Sequence, residues 1–177
     1  MFGFGKKKAH DPGREPRTTP AEVPVSASDV TVLRSPSPGR LLALEDVPDP
    51  VFSRGLAGPG FAVAPDSGTL TSPVAGTVVM LAETHHAVGL RTANGAEIVV
   101  HVGIDSVTLK GEGLRPLCAV GDEVETGKGL LEVDLAMLED RLPSTITPVL
   151  VTNGNDFDLE GPFLDAGSGD VMIVRRP

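Results

Sequence analysis

Ala87-Val88-Gly89-Leu90-Arg91-Thr92-Ala93-Asn94-Gly95-Ala96-Glu97-Ile98-Val99-Val100-His101-Val102 holds two apolar runs on either side of an Asn-Gly pair. Asn-Gly accepts the positive φ angles of a type I′ turn, so the stretch reads as a hairpin with strands over Ala87–Thr92 and Glu97–Val102. Strand alternation sets Glu97, Val99, His101 and Gly103 on one face, and Ile98, Val100 and Val102 on the other. Pairing back from the turn brings residues 87–89 near 99–101. His86 and His101 then become close neighbours.

The same texture extends in both directions. Short runs at Val30–Leu33, Leu41–Leu44, Gly60–Val63, Gly76–Leu81, Val107–Leu109, Gly129–Glu132, Pro148–Val151 and Asp170–Arg175 are separated by Gly, Pro, Asn and Asp. Turn signals recurring every ~8–12 residues belong to an all-β sandwich or barrel with antiparallel strands. Leu135–Arg141, with Asp134 as its cap and Pro143 just beyond, is the helical turn the sequence offers. Residues 1–28 have a different character, with Lys6-Lys7-Lys8 followed by Pro12, Pro16, Pro20 and Pro24 among Arg, Glu, Thr and Ser. Proline at that density forbids a helix, so 1–28 is expected to be a disordered basic tail and 29–177 the folded domain.

Composition narrows the function. The 177 residues are 40% hydrophobic and carry a net charge of −9. The excess is uneven, +2 over residues 1–35 and −11 over 36–177. An acidic body cannot neutralise phosphates, and with no Trp or Tyr the chain has no strong stacking platform, so nucleic acid is excluded as a partner. Cys118 is the only cysteine, which excludes an internal disulfide framework and suits a reduced, cytoplasmic setting. No apolar run approaches the ~20 residues of a membrane-spanning helix. The two Phe and three Lys at the start leave only a peripheral touch of the inner membrane face as an expectation.

Gly121-Asp122-Glu123-Val124-Glu125-Thr126-Gly127 has the rhythm found in biotinyl and lipoyl carrier domains. Downstream, Asp134-Leu135-Ala136-Met137 offers no acceptor lysine, so the rhythm reads as shared barrel architecture without the swinging arm. The chemistry falls to the histidine pair. Two close histidines without a third protein ligand fit either an incomplete metal site or a phosphoryl site, where one ring attacks and the other hydrogen-bonds the transferred oxygens.

Glu45-Asp46-Val47-Pro48-Asp49-Pro50-Val51-Phe52, Thr84-His85-His86-Ala87 and His101-Val102-Gly103-Ile104-Asp105-Ser106-Val107 resemble the glucose-family enzyme IIA component of the bacterial phosphoenolpyruvate-dependent sugar phosphotransferase system. Gly121-Asp122-x-Val124, Asp134-Leu135 and Ser144-Thr145-Ile146-Thr147-Pro148-Val149 continue the likeness at collinear spacing. The resemblance implies a compact antiparallel β-sandwich of barrel-sandwich-hybrid type, with a duplicated hybrid motif and one or two short helical turns. It implies a phosphotransferase component that takes phosphate from the phosphocarrier HPr and passes it to a cysteine of an enzyme IIB domain, serving a IIB/IIC sugar permease. It assigns His101 as phosphoryl acceptor through Nε2, His86 as second active-site histidine, Thr84 as its orienting partner, and the Gly103 carbonyl as the group fixing the His101 tautomer. Val51, Phe52 and Val99 become an apolar docking collar, with Asp49 and Asp105 as its acidic rim and regulatory targets binding there in the unphosphorylated state. His85 is read as a spacer.

No cofactor is required by this reading. His86 and His101 could bind zinc only as a shared ion, with a partner's carboxylate completing the shell. The competing functions are a zinc-dependent hydrolase of related barrel architecture and a purely regulatory binding module.

Overall fold

The structure, a computed structural model, describes residues 29–167 and 169–177; the expected tail 1–28 lies outside the described residues. The chain runs β1 (Val30–Arg34), β2 (Gly39–Leu42), α1 (Pro50–Ser53), β3 (Gly60–Pro65), β4 (Thr69–Thr71), β5 (Gly76–Leu81), β6 (Ala87–Arg91) and β7 (Glu97–His101). It continues through β8 (Leu114–Pro116), β9 (Glu123–Val124), β10 (Gly129–Val133), α2 (Leu135–Arg141), β11 (Thr147–Val151), β12 (Asp158–Glu160) and β13 (Asp170–Arg175). A seven-stranded sheet has the order β2-β3-β11-β7-β6-β5-β9, and two three-stranded sheets have the orders β1-β13-β12 and β4-β10-β8. Every strand pairing described is antiparallel, and the fold is a β-sandwich.

The large sheet uses its two faces differently. Ile98, Val100 and Val102 are buried in the main core, together with Val78, Val88, Leu90, Val149 and Val151 from neighbouring strands. On the other face Leu42, Ala62 and Leu150 pack with Leu44, Val47, Phe52 and Ile104 in a second, smaller core. α1 and a 3-10 turn at Leu44–Asp46 supply that cover. α1 is only four residues long; Asp49 accepts the Val51 N–H at 2.7 Å, Pro50 fits the first turn, and Phe52 anchors it to the sheet. The covered region ends beside β7, where the histidines lie.

Several local expectations are corrected. The Asn-Gly hairpin forms, but not with a type I′ turn: Gly95 is at φ +85° and Asn94 is not at positive φ. Gly95 N–H bonds the Thr92 carbonyl at 3.0 Å and Thr92 N–H bonds Ala96 at 3.0 Å, giving a three-residue loop. The reason is Asn94 itself, which is 1% exposed. Its Oδ1 accepts from Thr31 and Thr92 Oγ1 at 2.8 and 2.6 Å, and its Nδ2 donates to the Val174 carbonyl at 3.1 Å. These bonds tie the hairpin to β1 and β13, and a turn with Asn94 left-handed would aim the amide elsewhere.

Val107–Leu109 is not a strand but part of a 3-10 helix, Ser106–Leu109, flanked by Asp105 and Lys110 at φ +58° and +53°. Both ends turn left-handed, so the β-branched run has no room to extend. The strand expected over Leu41–Leu44 ends at Leu42, because the chain turns at Leu44 to cover the sheet. β4, β8, β9 and β12, two or three residues each, carry too little pattern to announce themselves. α2 forms as expected: Asp134 accepts the Met137 N–H at 3.1 Å, and Leu138 is buried.

Candidate functional site

The register of β6 against β7 sets Ala87 opposite His101, and Val102 N–H donates to the His86 carbonyl at 2.8 Å. The two rings face each other edge to face, with centroids 5.2 Å apart and an interplanar angle of 73°. Each has its Nδ1 engaged from behind. His101 Nδ1 is 3.0 Å from the Gly103 carbonyl oxygen, and His86 Nδ1 is 2.6 Å from Thr84 Oγ1. A carbonyl can only accept, so the proton of neutral His101 is on Nδ1 and the lone pair is on Nε2.

Gly103 makes that hydrogen bond possible. At φ +61° it turns the chain straight after β7, and a Cβ there would stand 2.9 Å from Leu142 Cδ1 and 3.1 Å from the Ser144 carbonyl oxygen. Ser144 O also accepts the Ile104 N–H at 2.9 Å, and the buried Ser106 hydroxyl donates to the Val102 carbonyl. The carbonyl that sets the His101 tautomer is therefore fixed on both sides.

The two rings open into a hollow of about 230 Å³, walled also by Asp49, Val51, Phe52, Asp105, Ser106 and Val107. The Phe52 ring lies 5.1 Å from that of His101, centroid to centroid. Burial holds the His101 pKa below its ordinary value, and proximity to His86 lowers it further. The Gly103 carbonyl and the Asp49 carboxylate pull the other way without overcoming this. His86 is also lowered, by burial. Both rings are thus kept neutral, and His101 presents a nucleophilic lone pair.

Of the residues singled out from sequence, eight meet here: His101, His86, Thr84, Gly103, Asp49, Val51, Phe52 and Asp105. The collar, however, divides. Val51 is 47% exposed, whereas Phe52 is 7% exposed and packs in the second core. Val99 is half-buried on the His101 face of β7 and does not line the hollow. Val107, 51% exposed, takes the expected place of an apolar collar residue and went unnoticed because its run read as a strand. Ser106 went unnoticed too; a hydroxyl between Asp and Val carries no signal until the 3-10 turn folds it back onto Val102.

A resident metal does not fit the donor set. Among the described residues no three His, Cys, Asp or Glu side chains cluster closely enough to hold an ion, so the histidine pair supplies two ligands of the usual four. Three larger depressions, of about 550 Å³ beside Arg115 and Glu132, about 630 Å³ beside Arg54 and Met172 and about 340 Å³ beside Ser37 and Thr71, contain no histidine. Among the described residues no helix is long and apolar enough to cross a membrane.

Comparison with known proteins gives a consistent answer. Residues 31–157 match the family described as phosphoenolpyruvate-dependent sugar phosphotransferase system, EIIA 1. The PTS system glucose-specific EIIA component of Halalkalibacterium halodurans is 43% identical over 153 residues, covering 86% of this chain and 81% of that one. The N-acetylglucosamine-specific EIICBA component of Klebsiella pneumoniae is 43% identical over 152 residues; the match spans 86% of this chain but 23% of that longer protein. Among solved structures, glucose permease IIA from Mycoplasma capricolum aligns with a TM-score of 0.76 at 34% identity, covering 81% of this chain and 95% of that chain.

Proposed function

The chain belongs to the EIIA 1 family of the phosphoenolpyruvate-dependent sugar phosphotransferase system and is a phosphoryl carrier within it, and from that premise we propose that His101 Nε2 is the atom that takes up and gives away the phosphoryl group. The observation that carries this reading is the His101 Nδ1 hydrogen bond to the Gly103 carbonyl, at the wall of a hollow shared with His86. It leaves one nitrogen of a buried, neutral imidazole free to attack.

The donor is HPr, phosphorylated on a histidine. The P–Nε2 bond to His101 forms as the donor's P–N bond breaks, and the departing nitrogen keeps that electron pair. No proton has to leave His101, because Nε2 carries none. Positive charge that builds on the ring is met by the Gly103 carbonyl and by Asp49. Thr84 Oγ1 lies 2.6 Å from His86 Nδ1; with this hydroxyl as donor, the His86 proton sits on Nε2, where it would face the transferred oxygens. The chemistry between two histidines is close to balanced, so alignment and charge stabilisation are what the site must supply.

The acceptor is a cysteine of a sugar-specific EIIB domain, working with its EIIC permease; in the Klebsiella relative the name EIICBA joins these components. Transfer therefore takes place at the cytoplasmic side of the membrane, and residues 29–177 are the domain that performs it. Val51 and Val107 offer the partners an apolar contact, and Asp49 and Asp105 attract basic side chains.

The test is phosphorylation with phosphoenolpyruvate, enzyme I and HPr, followed by intact mass. Wild type should gain one acid-labile phosphate and His101→Ala none. His86→Gln should still be charged but pass the group on more slowly, because an amide gives one hydrogen bond without the ring's charge. A fully labelled His101→Ala protein would refute the assignment.

A further inference from the structure

We propose that His85 is a positioning residue for phosphotransfer, acting through its left-handed backbone to hold the Thr84 hydroxyl on His86 Nδ1. The proposal rests on the reading of His86 as the second active-site histidine and concerns a residue that reading leaves idle.

Thr84 and His86 are two apart in sequence, and their side chains meet at 2.6 Å. Neither regular conformation allows this readily. In a strand, residues i and i+2 lie on one face but about 6–7 Å apart along the chain. In a helix, they point away from each other. A single left-handed residue between them solves the problem, because it folds the chain back on itself. His85 is at φ +56°, one of three non-glycine residues with positive φ among those described.

The surrounding bonds show how the loop is built. β5 and β6 are closed by Ala82 N–H to the Ala87 carbonyl at 2.9 Å, leaving four residues in the loop. His85 N–H bonds the Ala82 carbonyl at 2.8 Å, completing a turn through Glu83 and Thr84. The chain then reverses hand at His85 and delivers His86 to β7, where its carbonyl accepts the Val102 N–H. The left-handed step is thus the link between a turn that fixes Thr84 and a strand that fixes His86. Among the described hydrogen bonds His85 takes part through its backbone N–H and not through its ring.

Residue type at this position follows from backbone chemistry. Glycine enters the left-handed region without penalty, and Asn, Asp and His are several-fold enriched there among other residues. A β-branched side chain is strongly disfavoured. The important property of residue 85 is therefore its tolerance of positive φ and not its imidazole.

Two measurements test this on the full chain. With histidine labelled by ¹⁵N, long-range ¹H–¹⁵N spectra report which His86 nitrogen carries the proton. His85→Val should convert His86 from the single tautomer that the Thr84 contact selects towards a mixture, while His85→Asn and His85→Gly should restore the wild-type signature. In the phosphorelay, His85→Val should slow onward transfer to EIIB by about tenfold, the worth of one hydrogen bond. Thr84→Val should lose the same factor, and the double variant no more than either. If His85→Val does not fold, His85→Ala is measured in the same two ways, with a smaller shift expected. A folded His85→Val or His85→Ala protein with unaltered His86 nitrogens would overturn the proposal. So would an Asn variant as slow as the Val variant, or additive losses in the double variant. The spectroscopic measurement uses no phosphoryl donor, so it stands even if the acceptor proves not to be His101.

Discussion

Replacing Phe52 by alanine separates two roles that the sequence could not separate, a docking residue and a core residue. Phe52 is 7% exposed and packs with Leu42, Leu44, Val47, Ala62, Ile104 and Leu150. A buried Phe removes about 150–250 Å² from water, and truncation to Ala in a core costs roughly 3–5 kcal/mol. One side of the ring faces the His101 hollow, so water can enter part of the space left behind and the loss should lie near ~3 kcal/mol. With an urea m-value of ~2 kcal/mol/M, the unfolding midpoint should fall by about 1.5 M. Val51 is the control. It is 47% exposed, so Val51→Ala should change stability by less than about 0.5 kcal/mol yet weaken docking of the phosphoryl donor. Phe52→Ala should also admit water to His101 and raise its pKa towards the ordinary histidine value, since burial is the main cause of the depression. Urea titrations of both variants and an NMR titration of His101 supply the readouts. A Phe52→Ala midpoint within experimental error of wild type would refute the assignment of Phe52 to the core.

Two further outcomes follow from the same geometry. Asn94→Ala should cost about 3 kcal/mol, because it orphans buried partners on β1, β13 and the hairpin at once; thermal or urea unfolding checks it, and a loss below about 1 kcal/mol would show that the network is dispensable. Acidification should destabilise the protein once pH falls below the unfolded histidine value of 6.5, since His101 and His86 titrate lower in the folded state and the unfolded chain then binds more protons. Above that pH neither state holds the proton and the effect is absent. The slope should flatten in a His86→Gln/His101→Gln double variant; an unchanged slope would assign it to other groups.

The hairpin and the proximity of His86 and His101 were legible in the sequence, because strand alternation has a period of two and a turn between two runs folds one back along the other; the register was not, since a two-residue turn at Asn94-Gly95 would set Val88 opposite His101, where the three-residue loop sets Ala87. The all-β class was legible for the same reason, as was α2, whose cap, buried Leu138 and following proline are all local signals. The motifs around His101 carried the family. What stayed hidden depended on contacts between residues distant in the chain. The turn at Asn94 is set by Thr31 and Val174, more than sixty and about eighty residues away, and local propensity for a type I′ turn yields to them. Val107 belongs to a 3-10 turn because left-handed residues close both of its ends. Phe52 and Val51 are adjacent and equally apolar in sequence; only the packing of α1 on the sheet buries one and exposes the other. The sequence by itself determined which residues could do the chemistry. The tertiary structure decided their protonation and exposure, because those properties depend on what surrounds a side chain, and here Gly103, Thr84 and the second core provide that environment.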